Sequence, residues 1–259
     1  MLPKTSIKAL YTLALAEGEG VGTAYEYYAK RLVLGPWLAE RPRPARMLIA
    51  GLPQKYGSSL DLLQLAVDLQ AEVVVADERP EALTKLERGL VAVRAQGWLS
   101  DVVPRLQLVD DMGTLTGVAG AYDLALSCEA LQRMDVATRR ALAARLHGLA
   151  GAVALFAPNE DNPAHTAISG LDGLTLAEIR ALVPAGGRLL RSGYIDMPPF
   201  PPGIVRSEDQ RAQASSGRLE AAAMWGLQTV ARLERFLPGG IRRRQSHIVY
   251  ALSAGVAIS

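Results

Sequence analysis

Residues 122–134 read Tyr-Asp-Leu-Ala-Leu-Ser-Cys-Glu-Ala-Leu-Gln-Arg-Met, and this stretch decides the fold class. The apolar residues after the Tyr-Asp pair form a continuous run, which is typical of a strand buried on both faces. The run ends in Ser127, Cys128 and Glu129, and a helical pattern follows over residues 136–148. A buried strand with a polar, acidic exit and a following helix is a unit of an α/β sheet.

Similar units lie on both sides of this segment. Strand patterns cover residues 47–51, 72–77, 105–109 and 152–157, and helical patterns cover residues 59–69 and the segment that begins near Pro80. Because apolar runs separated by helices are typical of strands that lie parallel, the pattern predicts a parallel sheet covered on both faces.

The two ends of the chain differ from this alternation. Residues 1–40 carry two helical patterns separated by a glycine-rich run at 17–22, and the second helix is expected to end near Gly35-Pro36. The last third predicts a helix over 174–182, an extended segment over 188–196, a proline-rich segment over 197–203, a long helix over 207–236 and a terminal strand over 246–252.

Composition excludes several classes of function. The chain has 259 residues, is 49% hydrophobic and carries a formal net charge of +2, which gives no global case for binding nucleic acid or membranes. Two arginine runs, at 41–46 and 242–244, favour solvated surface, with an anionic substrate or RNA as the alternative. A single cysteine and three dispersed histidines predict neither disulfides nor a metal site.

The first sixteen residues have features of a secretory signal, with two lysines before an apolar patch. The patch is short, however, and Ile7, Leu10, Tyr11 and Ala14 fall on one helical face. An amphipathic N-terminal helix is therefore favoured, and with it a cytoplasmic protein without a membrane span.

The succession of elements resembles the class I S-adenosylmethionine-dependent methyltransferases. This resemblance implies a Rossmann-like three-layer sandwich with a mostly parallel seven-stranded sheet whose last strand is antiparallel. It covers residues 44–160 well and 186–253 loosely. It implies one structural domain overall, with an N-terminal helical lid over 1–43 and a methyltransferase-like domain over 44–259.

The turn after the first strand departs from the family pattern. Gly51 matches the first of three alternating glycines, but Pro53 and Lys55 stand where the other two belong, and Ile49 replaces an acid. The resemblance implies that Gly51, Leu52 and Pro53 lie against the cofactor, S-adenosyl-L-methionine. Either the turn is rebuilt, with Gly57 serving after a small insertion, or cofactor binding is weakened.

Further cofactor contacts follow from the resemblance at the ends of the next strands. Asp77 and Glu78 match the acid that accepts hydrogen bonds from the ribose hydroxyls, while Asp111 and Met112 match the adenine contacts. Solvated strand-end acids are the alternative for both pairs.

Ser127, Cys128 and Glu129 match the strand exit that lines the floor beneath the methyl group, with Glu129 facing the acceptor. A buried strand without any chemistry is the alternative for this run.

The acceptor pocket is expected beside the fifth strand. His165 is a candidate general base because its pKa lies near neutrality, and Asn159 and Asn162 are candidates for orienting the acceptor. Phe200 in the proline-rich segment, and Tyr25 and Tyr28 on the second helix, are expected to close the pocket. For these residues the alternatives are loop, turn, interface or core roles.

The sequence is compatible with three functions. The first is a methyltransferase that acts on a small-molecule acceptor by in-line transfer. The second is a catalytically inactive methyltransferase-like binding or partner subunit, which the altered glycine turn favours, and a homodimer or partner protein stays open. The third, a nicotinamide-dependent oxidoreductase, is disfavoured because no G-x-G-x-x-G follows the first strand.

Overall fold

Seven strands form a single sheet in the order β3-β2-β1-β4-β5-β7-β6. The computed structural model describes residues 5–54, 57–170, 172–199 and 218–255, with the side chains of His165, Ile168 and residues 218–222 outside that description. The strands are β1 (Arg46–Ala50), β2 (Glu72–Asp77), β3 (Arg105–Leu108), β4 (Tyr122–Cys128), β5 (Ala150–Pro158), β6 (Arg188–Ile195) and β7 (Ile248–Ala254).

The pairing directions are those expected of a mostly parallel sheet. Strands β1 to β5 pair in parallel, and β7 runs antiparallel between β5 and β6. The predicted seven-stranded Rossmann-like sheet with an antiparallel last strand is therefore confirmed.

Helices cover both faces. They are α1 (Ile7–Ala16), α2 (Val21–Ala39), α3 (Leu60–Leu69), α4 (Pro80–Arg94), α5 (Val136–Leu149), α6 (Pro163–Ser169), α7 (Leu176–Ala181), α8 (Arg218–Leu233) and α9 (Gly239–Gln245), with 3₁₀ turns at Leu131–Arg133 and Glu234–Phe236.

Alternation along β1 shows how the layers form. Met47 and Ile49 point into a core shared with helices α1 to α4 and α8, while Leu48 and Ala50 point into a second core shared with α5 and α7. All four residues are fully buried, so successive side chains of a single strand fill two apolar layers. The result is the predicted three-layer sandwich.

Helix α2 is longer than the sequence predicts. Pro36 lies inside it, and the helix continues to Ala39 rather than ending near Gly35-Pro36. An internal proline costs a helix ~3 kcal/mol. The next two side chains, Trp37 and Leu38, are nearly fully buried, and the burial of each large apolar side chain contributes ~1.5–3 kcal/mol. Tertiary packing therefore outweighs the proline.

Other differences are small or lie outside the described residues. The predicted strands and helices agree with the observed ones to within about two residues, and the described part of the long helix covers Arg218–Leu233. Residues 200–203 of the proline-rich segment and 207–217 of the predicted helix are not described. Within the described ranges, no helix is long and apolar enough to span a membrane.

Candidate functional site

The strand order reverses between β1 and β4, and the carboxyl ends of these strands meet the turn that follows β1. Open α/β sheets bind ligands at such a switch point. Gly51 opens the turn with a φ of +82°, and its N–H donates to the Ala76 carbonyl oxygen at 2.8 Å. A Cβ at this position would overlap the Cβ of Ala130, which follows β4. Close packing within the chain therefore requires this glycine.

Asp77, at the end of β2, fastens the same turn. It is fully buried, and its Oδ2 accepts a hydrogen bond from the Leu52 N–H at 2.7 Å. The Arg79 guanidinium donates to both oxygens at 2.9 Å, and Arg133 Nη2 lies 3.3 Å from Oδ2. Burial opposes ionisation, but the hydrogen bonds from Arg79 and Leu52 outweigh it and lower the Asp77 pKa. This carboxylate is thus occupied by donors of its own chain.

The neighbouring predicted cofactor contacts are placed differently. The Glu78 side chain is 34% exposed and pairs with Arg133. Asp111 is exposed, and its Oδ1 accepts from the Gly113 N–H at 2.9 Å. Met112 is fully buried, with its methyl carbon 3.4 Å from where a Cβ on Gly51 would lie. Glu78 and Asp111 therefore keep surface that a ligand can reach.

Two side chains of the N-terminal segment, Glu17 and Glu19, accept hydrogen bonds from the chain that leads from this turn into α3. Glu17 Oε1 accepts from the Ser58 N–H at 2.8 Å, the Ser58 hydroxyl at 2.7 Å and the Leu60 N–H at 3.0 Å. Glu19 Oε1 accepts from the Gly57 N–H at 3.1 Å. A Cβ on Gly57 would lie 2.7 Å from the Tyr27 hydroxyl. The connection between α1 and α2 therefore supplies carboxyl oxygens as acceptors for backbone N–H groups at the start of α3, and burial raises the Glu17 pKa.

A buried lysine joins α2 to the sheet. Lys30 Nζ lies 2.9 Å from Glu26 Oε1, 3.0 Å from Asp61 Oδ2 and 3.4 Å from Cys128 Sγ. Burial disfavours its charge, but Asp61, Cys128 and Glu26 outweigh burial and raise its pKa well above the ordinary value. The ammonium therefore stays protonated where α2, α3 and β4 meet.

Several buried oxygens at this edge have no hydrogen-bond partner among the described residues. They are Asp61 Oδ1, Glu129 Oε2 and Asp196 Oδ1; Ser127 Oγ is also unpaired, but its side chain lies on the opposite face of β4 from Cys128. Buried polar atoms in native proteins are almost always paired, so a cluster of unpaired acceptors indicates a ligand or water. Burial, reinforced by the charge of Glu26, raises the Glu129 pKa well above its ordinary value.

Backbone strain marks the same edge. Ser59, Glu129 and Asp196 have φ values of +66°, +51° and +68°. Residues other than glycine adopt this left-handed region at a cost, and such strain concentrates at functional sites. These residues lie just before α3, just after β4 and just after β6, so three separate elements contribute a strained residue.

A second charged group lies after β6. Asp196 Oδ2 is 3.2 Å from His247 Nδ1, and Glu234 accepts from the Asp196 N–H at 3.2 Å and the Met197 N–H at 3.0 Å. The Tyr25 hydroxyl is 3.2 Å from Glu234 Oε2. Burial, with the charge of Asp196, raises the Glu234 pKa from 4.5 to about 7. Burial alone would lower the His247 pKa, but the hydrogen bond that the imidazole donates to Asp196 raises it.

The predicted acceptor residues mostly serve other contacts. Asn159 and Asn162 are buried, and both side-chain amides donate to the Ser246 carbonyl oxygen, at 2.8 and 3.2 Å, ahead of β7. The Tyr28 hydroxyl accepts from Arg232 Nε at 2.8 Å. His165 lies in α6, although its side chain is outside the described set, and Phe200 lies outside the described residues. Their roles toward an acceptor stay predictions.

Sequence reasoning missed the residues that dominate the charge of this edge. They are Glu26, Lys30, Asp61, Asp196, Glu234 and His247. One signal was available, since Lys30 shares helical spacing with Tyr27, Leu34 and Trp37, so that a lysine interrupts an apolar stripe. The other residues come together only through the fold.

Comparison with known proteins identifies the fold. No protein-family model and no curated protein sequence matches this chain. Magnesium protoporphyrin IX methyltransferase from Synechocystis PCC 6803, solved with bound SAH, is 14% identical over 89% of this chain and 85% of that chain, with a TM-score of 0.50. Thermoplasma acidophilum 1320 is 12% identical over 98% of this chain and 100% of that one, also with a TM-score of 0.50.

TehB from Haemophilus influenzae has the same TM-score, 0.50, at 10% identity over 86% of this chain and 61% of that chain. At these identities the likeness establishes the fold alone. Together with the strand order, it shows that the chain has the Rossmann-like methyltransferase fold.

The Gly51 contact predicts a specific loss of stability. Gly51→Ala combines left-handed strain with overlap against Ala130, so the free energy of unfolding should fall by about 2–4 kcal/mol in urea denaturation. Gly97→Ala is the matched control, because Gly97 has a φ of +80° but nothing within 4 Å of its Cβ position, and strain alone predicts a loss of about 1 kcal/mol. Adding Ala130→Gly should recover part of the Gly51→Ala loss. Equal losses at both glycines would contradict the packing argument.

Glu234 predicts a pH-dependent stability difference. Because its pKa rises on folding from 4.5 to about 7, its stabilising contribution is complete below pH 4.5 and is lost as the pH rises toward 7. Between those pH values, the unfolding free energy of the wild type should fall by about 2–3 kcal/mol relative to Glu234→Gln. Denaturation curves collected across this range would test it, and parallel pH profiles would refute it.

Proposed function

We propose that this chain is an S-adenosyl-L-methionine-dependent methyltransferase acting on a small-molecule acceptor. One observation carries the proposal: buried carboxylates with unpaired oxygens lie at the switch point of a sheet with this strand order. The Synechocystis structure with the same fold is a methyltransferase with bound SAH, which supports this choice of ligand.

Charge separates the candidate cofactors. S-adenosylmethionine carries a sulfonium and an α-ammonium, whereas a nicotinamide dinucleotide brings an anionic pyrophosphate to the turn after β1. The carboxylates of Asp61 and Glu129, both nearly fully buried, flank this turn and attract the first ligand but repel the second. The antiparallel β7 also differs from the dinucleotide-binding order, in which six strands follow 3-2-1-4-5-6.

The residues at the edge fit the parts of the cofactor. We assign the α-ammonium to Asp61 Oδ1, which has no partner within the described chain. Glu78 takes the ribose hydroxyls, because its side chain is partly exposed and the Asp77 network stays intact. The predicted contacts at Gly51, Leu52 and Pro53 with the amino-acid end, at Asp111 and Met112 with the adenine, and at Ser127 and Cys128 with the floor beneath the methyl group belong to the same proposal.

Methyl transfer requires little from the protein beyond correct placement of the acceptor and the methyl donor. When bound, the cofactor supplies a methyl group on a sulfonium. The chain's own residues then hold the acceptor in line and exclude water, and such positioning provides much of the rate acceleration. The lid formed by α1 and α2, which we assign to residues 1–43, serves that exclusion because it contributes Tyr25, Glu26 and Lys30. We place the protein in the cytoplasm.

A catalytically inactive binding or partner subunit is the second candidate. The observation that favours it is that the chain's own groups occupy this turn: Glu17 and Glu19 accept from the N–H groups of residues 57, 58 and 60, and two arginines contact Asp77. Cofactor binding without turnover across a broad set of acceptors would select this candidate.

Calorimetric titration tests the proposed cofactor. S-adenosylmethionine should bind, and NADH should show no heat above dilution. Asp61→Asn removes the anionic oxygen but keeps an acceptor for Lys30, so it should weaken S-adenosylmethionine binding by about 1.5–3 kcal/mol, or more than tenfold.

The matched control for that titration is Glu72→Gln, which removes the same charge from an 87% exposed side chain at the amino end of β2. Its affinity should equal that of the wild type. Binding of NADH in preference to S-adenosylmethionine would refute the methyltransferase proposal.

A further inference from the structure

We propose that Glu129 and Asp196 bind a protonated amine, and that the acceptor of the methyl group is therefore an amine. This inference rests on the proposed function for the reaction and deepens it by naming the substrate class. It starts from two carboxylates on different strands that lack partners for one oxygen each.

Both residues follow strands that end at the carboxyl edge of the sheet, and β5 and β7 lie between those two strands. Glu129 directly follows β4, and Asp196 directly follows β6. Their exposed fractions are 6% and 4%, and Glu129 Oε2 and Asp196 Oδ1 have no hydrogen-bond partner in the part of the chain that is described. Both are held in left-handed backbone conformations, so the fold keeps these carboxylates buried despite strain.

The cations at this edge are already engaged. Lys30 contacts Glu26 and Asp61, and the His247 imidazole is paired with Asp196 Oδ2. Glu234 adds a further carboxylate beside Asp196. Five buried or half-buried carboxyl groups therefore face two basic groups. Burial raises the pKa of Glu26, Glu129 and Glu234, and an additional cation would allow these groups to ionise.

The electrostatics agree with this geometry. Burial first, and then the charges of Glu26, Asp196 and Asp61, raise the Glu129 pKa well above its ordinary value, against the opposing charge of Lys30. The groups that face Glu129 are thus mainly anionic. A ligand that carries positive charge and N–H donors would remove this repulsion and fill the unpaired acceptor atoms.

Other acceptor classes fit less well. A primary ammonium carries three N–H donors, so it can hydrogen-bond two carboxylates at once. A phenol or alcohol has one O–H, and a carboxylate ligand has no donor and would be repelled. The Tyr25 hydroxyl, which lies beside Glu234, adds a polar but uncharged wall.

Glu129, Asp196 and the two substrates account for every proton and electron pair in the methyl transfer. The ammonium gives one proton to Glu129, whose raised pKa suits it as the base, while Asp196 holds a remaining N–H. The freed lone pair on nitrogen forms the new N–C bond as the C–S bond breaks. The electron pair of that bond stays on sulfur as a neutral thioether, and the positive charge ends on the methylated nitrogen.

Binding measurements test the amine site directly. The chain saturated with S-adenosylhomocysteine is titrated at pH 7.5 with amines from methylamine to phenethylamine, each paired with its alcohol isostere, and with 3-phenylpropionate. At least one amine should bind at least tenfold tighter than its alcohol, and the carboxylate should not bind. Titrations in two buffers of different ionisation enthalpy should show proton release as the ammonium displaces the proton on Glu129.

Glu129→Gln and Asp196→Asn should each weaken amine binding at least tenfold, and Asp196→Asn should leave S-adenosylhomocysteine affinity within twofold. Glu129→Gln should also abolish the proton release, which a merely structural role would not do. Glu72→Gln is the control and should match the wild type. If one variant fails to fold, the other variant alone tests the amine site.

The outcomes separate the two proposals. If S-adenosylhomocysteine and S-adenosylmethionine both fail to bind, the methyltransferase proposal fails, and the same amine titration on the free chain still decides the amine site. If the cofactor binds but every amine binds no tighter than its alcohol, or both variants bind amines like the wild type, the amine inference is overturned while the methyltransferase proposal stands.

Discussion

A buried ammonium among carboxyl groups organises the carboxyl edge of the sheet. Lys30 reaches from helix α2 to Asp61 on α3 and to Cys128 at the end of β4, so a single side chain ties α2 to both sides of the switch point. Removing one partner of a buried ion pair generally costs several kcal/mol, because the remaining charge is left uncompensated. Carboxyl groups outnumber basic groups around Lys30, so we expect a ligand that binds at this edge to be a cation.

The turn after β1 shows how a departure from the glycine pattern is accommodated. Gly51 is kept because Ala130 leaves no room for a Cβ. The N–H groups that a glycine-rich turn would offer are instead used by Asp77, Glu17 and Glu19, so the turn is fixed by the chain's own carboxylates. We therefore propose that recognition relies on acidic side chains such as Asp61 more than on the backbone of this turn.

Much of the fold could be predicted from the sequence, because continuous apolar strands such as that ending at Cys128 carry their own signal. The seven-stranded, mostly parallel sheet and its antiparallel last strand followed from the resemblance, and both are present. Helix α2 was predicted too short because the rule that proline ends a helix takes no account of tertiary contacts, here the burial of Trp37. The charged cluster escaped prediction because its members are up to about two hundred residues apart and meet only through packing.

We propose that the buried acids at the switch point receive the cationic end of S-adenosylmethionine or its product. A crystal structure of the chain with S-adenosylhomocysteine would show where that end binds. We expect the ligand's α-ammonium nitrogen about 3 Å from Asp61 Oδ1, with the ribose beside Glu78. An amino-acid end bound elsewhere, with Asp61 Oδ1 still without a partner, would refute this assignment.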